Sequence, residues 1–201
     1  MVDNIVRKTK EQVLTPVAYT LQSVNPHWVT IIATILGVAA AIAGWQKAYV
    51  LGLGLWLLSK LADRLDGTLA RIRNQQTNLG GYLDILSDTL IWAIVPFGLA
   101  LGQPTPAIFV GLGLLLIGIY LNSASWMYLA ALLEKRQQGA QANGEMTTVT
   151  MPTGLMEGTE SVLMYSAFFI FPNLLFPLFL LMAGLALLTV LIRLIWVVRH
   201  L

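Results

Sequence analysis

The residues best spaced for chemistry in this 201-residue chain are four aspartates: Asp63 and Asp66, then Asp84 and Asp88. Spacings of three and four put each pair on one face of a helix. The segment between the pairs, 72–79, is short and polar, which predicts two antiparallel helices with both pairs near their connecting loop. The four carboxylates can then converge on one shallow site. Left bare, such a cluster repels itself. Divalent cations remove the conflict, and all-oxygen ligation selects hard ions such as Mg²⁺, Mn²⁺ or Ca²⁺. Two such ions about 3.5–4 Å apart suit a displacement at phosphorus. Gly67 and Ala70, with Gly80 and Gly81 opposite, let backbones or a flat ligand approach closely. Arg71 is placed to meet a phosphate or to orient a carboxylate.

The elements that must position these residues belong to a membrane protein. Apolar residues make up 57% of the chain and charged residues 11%, against about a quarter charged in soluble domains. Runs of about 20 apolar residues cover about 30 Å of hydrocarbon. That ruler finds six spans, at about 29–45, 49–71, 80–101, 106–133, 158–171 and 174–197. The runs lack the alternation of barrel strands. They predict an all-α membrane protein, a six-transmembrane-helix bundle. Residues 1–23 mix Arg7, Lys8, Lys10 and Glu11 with Val6, Val13, Leu14, Val17 and Leu21, as in an N-terminal amphipathic helix lying on the membrane surface. It has no cleavable signal-peptide pattern. The domain division is a juxtamembrane helix over 1–23 and a six-helix domain over 24–201. Lys and Arg gather on one side of this topology, with only Lys47 opposite. Both termini and the aspartate site are therefore expected in the cytoplasm. Residues 137–153 read as a polar loop on that side.

Composition also excludes chemistry. The chain has no cysteine and two histidines, so thiolate sites, disulfides and His-rich metal cages are ruled out. Among the remaining charges, Lys60 and Arg64 flank the first aspartates, either to attract phosphate or to pair with neighbouring carboxylates. Glu157 and Glu160 open the fifth span, where the helix dipole favours them or where they wall an acceptor site. Arg193, late in the sixth span, either faces that site or snorkels. Most of the six tryptophans read as interfacial or packing residues.

The string Asp63-x2-Asp66-Gly67-x2-Ala70-Arg71-x8-Gly80-x3-Asp84-x3-Asp88 resembles the signature of the CDP-alcohol phosphotransferase family. That family's architecture of six spans and a surface N-terminal helix matches as well. The resemblance implies that Asp63, Asp66 and Asp84 ligate two Mg²⁺ or Mn²⁺ ions. Asp88 would be the general base and could also touch a metal. Gly67, Ala70 and Arg71 would line the CDP pocket, with Asn25, beside Pro26, and Thr30 at its border. Glu157, Glu160 and Arg193 are candidates for the acceptor site. The implied reaction moves a phosphatidyl group from CDP-diacylglycerol to the hydroxyl of a polar alcohol and releases CMP. A homodimer embedded in membrane lipid is implied too, with no nucleic-acid partner. Members that use phosphorylated acceptors often carry a basic stretch along the fourth span. Residues 123–131 contain none here, which counts against a phosphorylated acceptor, and the two acidic residues Glu157 and Glu160 favour a neutral or amine-bearing alcohol. Two alternatives stand: transfer of a CDP-linked head group to diacylglycerol by the same site, and a divalent-cation channel or transporter, since intramembrane carboxylates also mark ion paths.

Overall fold

In a computed structural model the described residues are 16, 18–20, 23–73, 76–137, 155–156 and 158–200, and no strand occurs among them. Their main helices are α1 Pro26–Trp45, α2 Tyr49–Ile72, α3 Asn78–Gly102, α4 Pro106–Lys135, α5 Gly158–Ile170 and α6 Leu175–His200. A 3-10 turn over Pro172–Leu174 precedes the last. Of the expected surface helix over 1–23, only Pro16 and residues 18–20 are described as helical. The rest of that expectation, most of the 137–153 loop and Glu157 lie outside the described residues.

The helix starts are written locally. Asn25 accepts from the His27 N–H at 3.0 Å, and Pro26 takes the first helical position, where its missing donor is no loss. Thr77 caps α3 through the Gly80 N–H, and Thr105 caps α4 through the Ile108 N–H. Between α1 and α2 only residues 46–48 intervene. Lys47 turns left-handed at φ 60°, and the Ala48 N–H closes on the Ala43 carbonyl at 2.8 Å. The two helices consequently fold back on each other.

Pro26–Trp45, Asn78–Gly102, Pro106–Lys135 and Pro172–His200 are long and apolar enough to cross a membrane. The other two helices depart from that pattern for different reasons. α2 has 24 residues, or about 36 Å of helix, but carries Lys60, Asp63, Arg64, Asp66 and Arg71. α5 has 13 residues, which makes about 20 Å and falls short of the ~30 Å hydrocarbon layer.

α1 lies against α2 and α3, α4 lies against α6, and α5 packs on α2. The α1–α3 approach is backbone on backbone. A Cβ at Gly98 would fall 2.2 Å from the Ala41 carbonyl oxygen, and one at Gly102 would fall 2.6 Å from that of Gly44. Lipid tails are as apolar as leucine, so helices in a bilayer associate through such close packing. The core is aromatic. Trp56 stacks on Tyr165 at 5.0 Å, Trp92 meets Tyr165 edge-on at 4.6 Å, and Phe168 and Phe179 continue the cluster. Trp56 donates to the Val162 carbonyl, and the Tyr165 hydroxyl donates to that of Trp92. These bonds satisfy polar edges that would otherwise be buried unpaired. At the end away from the aspartates, Gln103 ties the Tyr49 hydroxyl to the Pro172 carbonyl, each at 3.0 Å.

Candidate active site

The aspartates sit where α2 ends and α3 begins, above the aromatic core. Each of the four carboxylates is close enough to the other three for their charges to repel. The two pairs thus lie within range of one another's charge. α1 joins the group as well. Thr30 donates from its hydroxyl to Asp66 Oδ2 at 2.6 Å, and Ser59 anchors α2 to α1 by donating to the Ala33 carbonyl at 2.7 Å. Thr30, expected at the border of a nucleotide, thus has its hydroxyl on a carboxylate. Asn25 serves as the exposed cap of α1.

The centre of the group is Lys60. Its ammonium bonds Asp88 and stands 3.8 Å from Asp63 Oδ2. It also lies 5.0 Å from the ring centre of Trp92 and 5.4 Å from that of Trp56. The residue is buried, with 6% of its surface exposed. Of the two sequence-level readings of Lys60, carboxylate pairing is the one that the geometry contains. With Lys60 on Asp88 and Thr30 on Asp66, no three Asp, Glu or His side chains among the described residues form a ready metal group. The donor set nonetheless suits hard cations. It consists of oxygen ligands only, converging from two helices, and Lys60 and Arg64 offset only two of four negative charges. Divalent ions would supply the missing positive charge.

The rest of the motif lies along the same helix. Arg71 Nη2 donates to Thr68 Oγ1 at 3.1 Å. Among the described residues, the only neighbour within 4 Å of an added Cβ at Gly67 is Arg71 Nη1, at 3.6 Å. That face is open and carries a guanidinium. Asp88 is the more open of the two Lys60 partners, with 36% of its side chain exposed against 19% for Asp63.

The acceptor candidates lie close by on α5 and α6. Arg64 Nη2 is 3.9 Å from where a Cβ at Gly158 would stand, so the start of α5 rests beside the motif helix. Glu160, in its first turn, has one carboxylate oxygen buried with no hydrogen-bond partner among the described residues. The Met156 N–H donates to Thr189 Oγ1 at 3.1 Å, which ties the approach to α5 onto α6 one turn before Arg193. Arg193 is buried. Its Nη1 donates to the Asn122 carbonyl at 3.3 Å, to Asn122 Oδ1 at 3.0 Å and to Ser125 Oγ at 3.2 Å. It faces α4 and does not snorkel. Sequence reasoning missed Asn122 and Ser125 as its holders. Their i, i+3 spacing within an otherwise apolar span was the available signal.

Comparison with known proteins bears on the family and the fold. Residues 23–199 match the family model described as CDP-alcohol phosphatidyltransferase. The chain is 36% identical over 152 residues to "Inner membrane protein YnjF" of Escherichia coli K12, covering 74% of this chain and 71% of that protein. It is 31% identical over 99 residues to the archaetidylinositol phosphate synthase of Pyrococcus horikoshii, covering 48% of this chain and 53% of that one. Its fold is similar to that of the Mycobacterium tuberculosis phosphatidylinositol phosphate synthase PgsA1 with CDP-DAG bound. The TM-score is 0.70 at 22% identity, over 91% of this chain and 92% of that one. PgsA1 in complex with manganese and citrate gives the same TM-score at 23% identity, over 90% and 87%. With its family model spanning nearly the whole chain, this membrane protein belongs to the CDP-alcohol phosphatidyltransferase family.

Proposed function

We propose that the chain transfers the phosphatidyl group of CDP-diacylglycerol to the hydroxyl of a polar alcohol. The observation that carries this reading is the convergence of four carboxylates at the α2–α3 junction, with Asp88 open to an incoming group. Asp63, Asp66, Asp84 and Asp88 would hold two Mg²⁺ or Mn²⁺ ions, which when bound neutralise a pyrophosphate and polarise the phosphorus under attack. Asp88 takes the proton of the acceptor hydroxyl. The acceptor oxygen bonds to the lipid-side phosphorus, the bond from that phosphorus to the CMP oxygen breaks, and CMP leaves with the electron pair. Thr30 fixes Asp66 by its hydrogen bond. Gly67 leaves room for the nucleotide beside the Arg71 guanidinium, with Ala70 on the same helix and Asn25 at the rim. Transfer of a CDP-linked head group to diacylglycerol would use the same groups. Membership of an enzyme family sets aside the ion-path alternative.

The topology we infer has six membrane crossings, with α2 turning its charged face inward and α5 the shortest of the six. The Lys/Arg distribution supports placing both termini and the site in the cytoplasm.

For the acceptor, the unpartnered Glu160 oxygen supports an alcohol that donates hydrogen bonds, neutral or amine-bearing. A second reading, a phosphorylated polyol, is favoured by the buried Arg193 that Asn122 and Ser125 hold. The test is CMP release from CDP-diacylglycerol in proteoliposomes with Mg²⁺, across a panel of neutral, amine-bearing and phosphorylated alcohols. One class should drive release and yield the matching lipid by mass. No release with any acceptor would reject the reading.

A further inference from the structure

Within the aspartate group, Lys60 is the residue that the proposed chemistry leaves unused. It has no counterpart role among the acid–base and ligand assignments, yet it is the buried centre of the site. Its ammonium bonds Asp88, approaches Asp63 at 3.8 Å and faces the rings of Trp56 and Trp92 at 5.4 and 5.0 Å. An ammonium there and a divalent ion on Asp63 and Asp88 would use the same carboxylate charge at contact distance, where like charges repel strongly in a buried site. The same ammonium already meets both aromatic faces, and a cation is stabilised over an indole ring without a carboxylate partner, so it can stay there when the carboxylates are taken. Lys is suited to such an exchange, being a point charge on a flexible stem, whereas Arg would hold a fixed bidentate geometry.

We infer that Lys60 is an internal competitor for the metal ions. Its ammonium holds Asp88 and Asp63 together in the metal-free enzyme, and metal loading displaces it from those carboxylates while it keeps the Trp56 and Trp92 faces it already meets. Lys60 is thus a positioning residue that sets metal affinity. The inference rests on the metal reading of the four aspartates.

The experiment is Mn²⁺ binding to the full-length protein in lipid nanodiscs, read from the free-Mn²⁺ electron paramagnetic resonance signal. It compares wild type with Lys60→Met and Lys60→Gln. Removing the competitor should tighten Mn²⁺ binding by about tenfold or more in Lys60→Met, the scale of one charge-assisted contact, and by less in Lys60→Gln. Structural damage alone would weaken binding, so the sign separates the two. Should either variant assemble only when Mg²⁺ is present, that too supports the inference, since the metal then replaces the ammonium. Unchanged or weaker binding in a folded variant overturns it, as does failure of both variants to fold even with Mg²⁺. If wild type itself binds no Mn²⁺, the metal reading fails rather than the role of Lys60 alone.

Discussion

Asp88 shows how much one side chain's surroundings decide. It shares a helix face with Asp84, yet the fold sets it against Lys60 of α2 and leaves over a third of it open. A base must reach both its substrate's proton and solvent, and this carboxylate meets that need better than Asp63 or the buried Asp66. Asp88→Asn keeps the shape and still accepts a bond from Lys60, but it cannot take a proton. General-base removal costs about 10²–10⁴ in rate. Transfer should therefore fall by at least about a hundredfold, while CDP-diacylglycerol binding changes little. Turnover assays and equilibrium binding on the same preparation check both halves. Full turnover in this variant would remove Asp88 from the role of base.

At the scale of elements, the site depends on how closely α1, α2 and α3 approach. Thr30 reaches Asp66, and Ser59 reaches the Ala33 carbonyl, because α1 lies directly on α2. α3 is held to α1 where Gly98 and Gly102 meet backbone. Gly98→Val would drive a branched side chain into the Ala41 carbonyl. Overpacking of this kind costs about 1–3 kcal/mol, and the predicted outcome is a melting temperature several degrees lower with reduced activity. Gly113→Ala, where nothing lies within 4 Å of an added Cβ, should leave the melting temperature near wild type. Equal effects of the two changes would contradict this account of the α1–α3 contact. The helices and the two aspartate pairs were legible in the sequence because hydropathy and the 3.6 period are local signals. Their boundaries fell within a few residues of those observed. The pairing of Lys60 with Asp88 was not legible, because the partners are 28 positions apart and belong to different helices. The same holds for Arg193, whose holders lie 68 and 71 residues away on α4. Helix register and crossing decide such contacts, and neither is encoded in a short motif. The absence of a base from 123–131 was read correctly along α4, but α6 delivers a cation to that helix from outside.

On the scale of the whole molecule, the bundle is organised from one end to the other. Carboxylates and cations occupy the α2–α3 loop end, an aromatic layer of Trp56, Trp92 and Tyr165 closes the site beneath, and Gln103 ties the far end. Charged groups inside a membrane are expensive and persist where they work. On the proposed reading, gathering them at one end would let a water-soluble nucleotide and a polar alcohol meet a lipid whose chains stay between helices. The central claim is that the four aspartates grip divalent cations together. Anomalous diffraction at the manganese edge, from crystals grown with Mn²⁺ and CDP-diacylglycerol, tests it most directly. The account predicts peaks at ordinary oxygen-ligand distances from Asp63, Asp66, Asp84 and Asp88, with the Lys60 ammonium withdrawn from Asp88. Manganese bound elsewhere, or these carboxylates left without a peak in crystals that hold the donor, would contradict it.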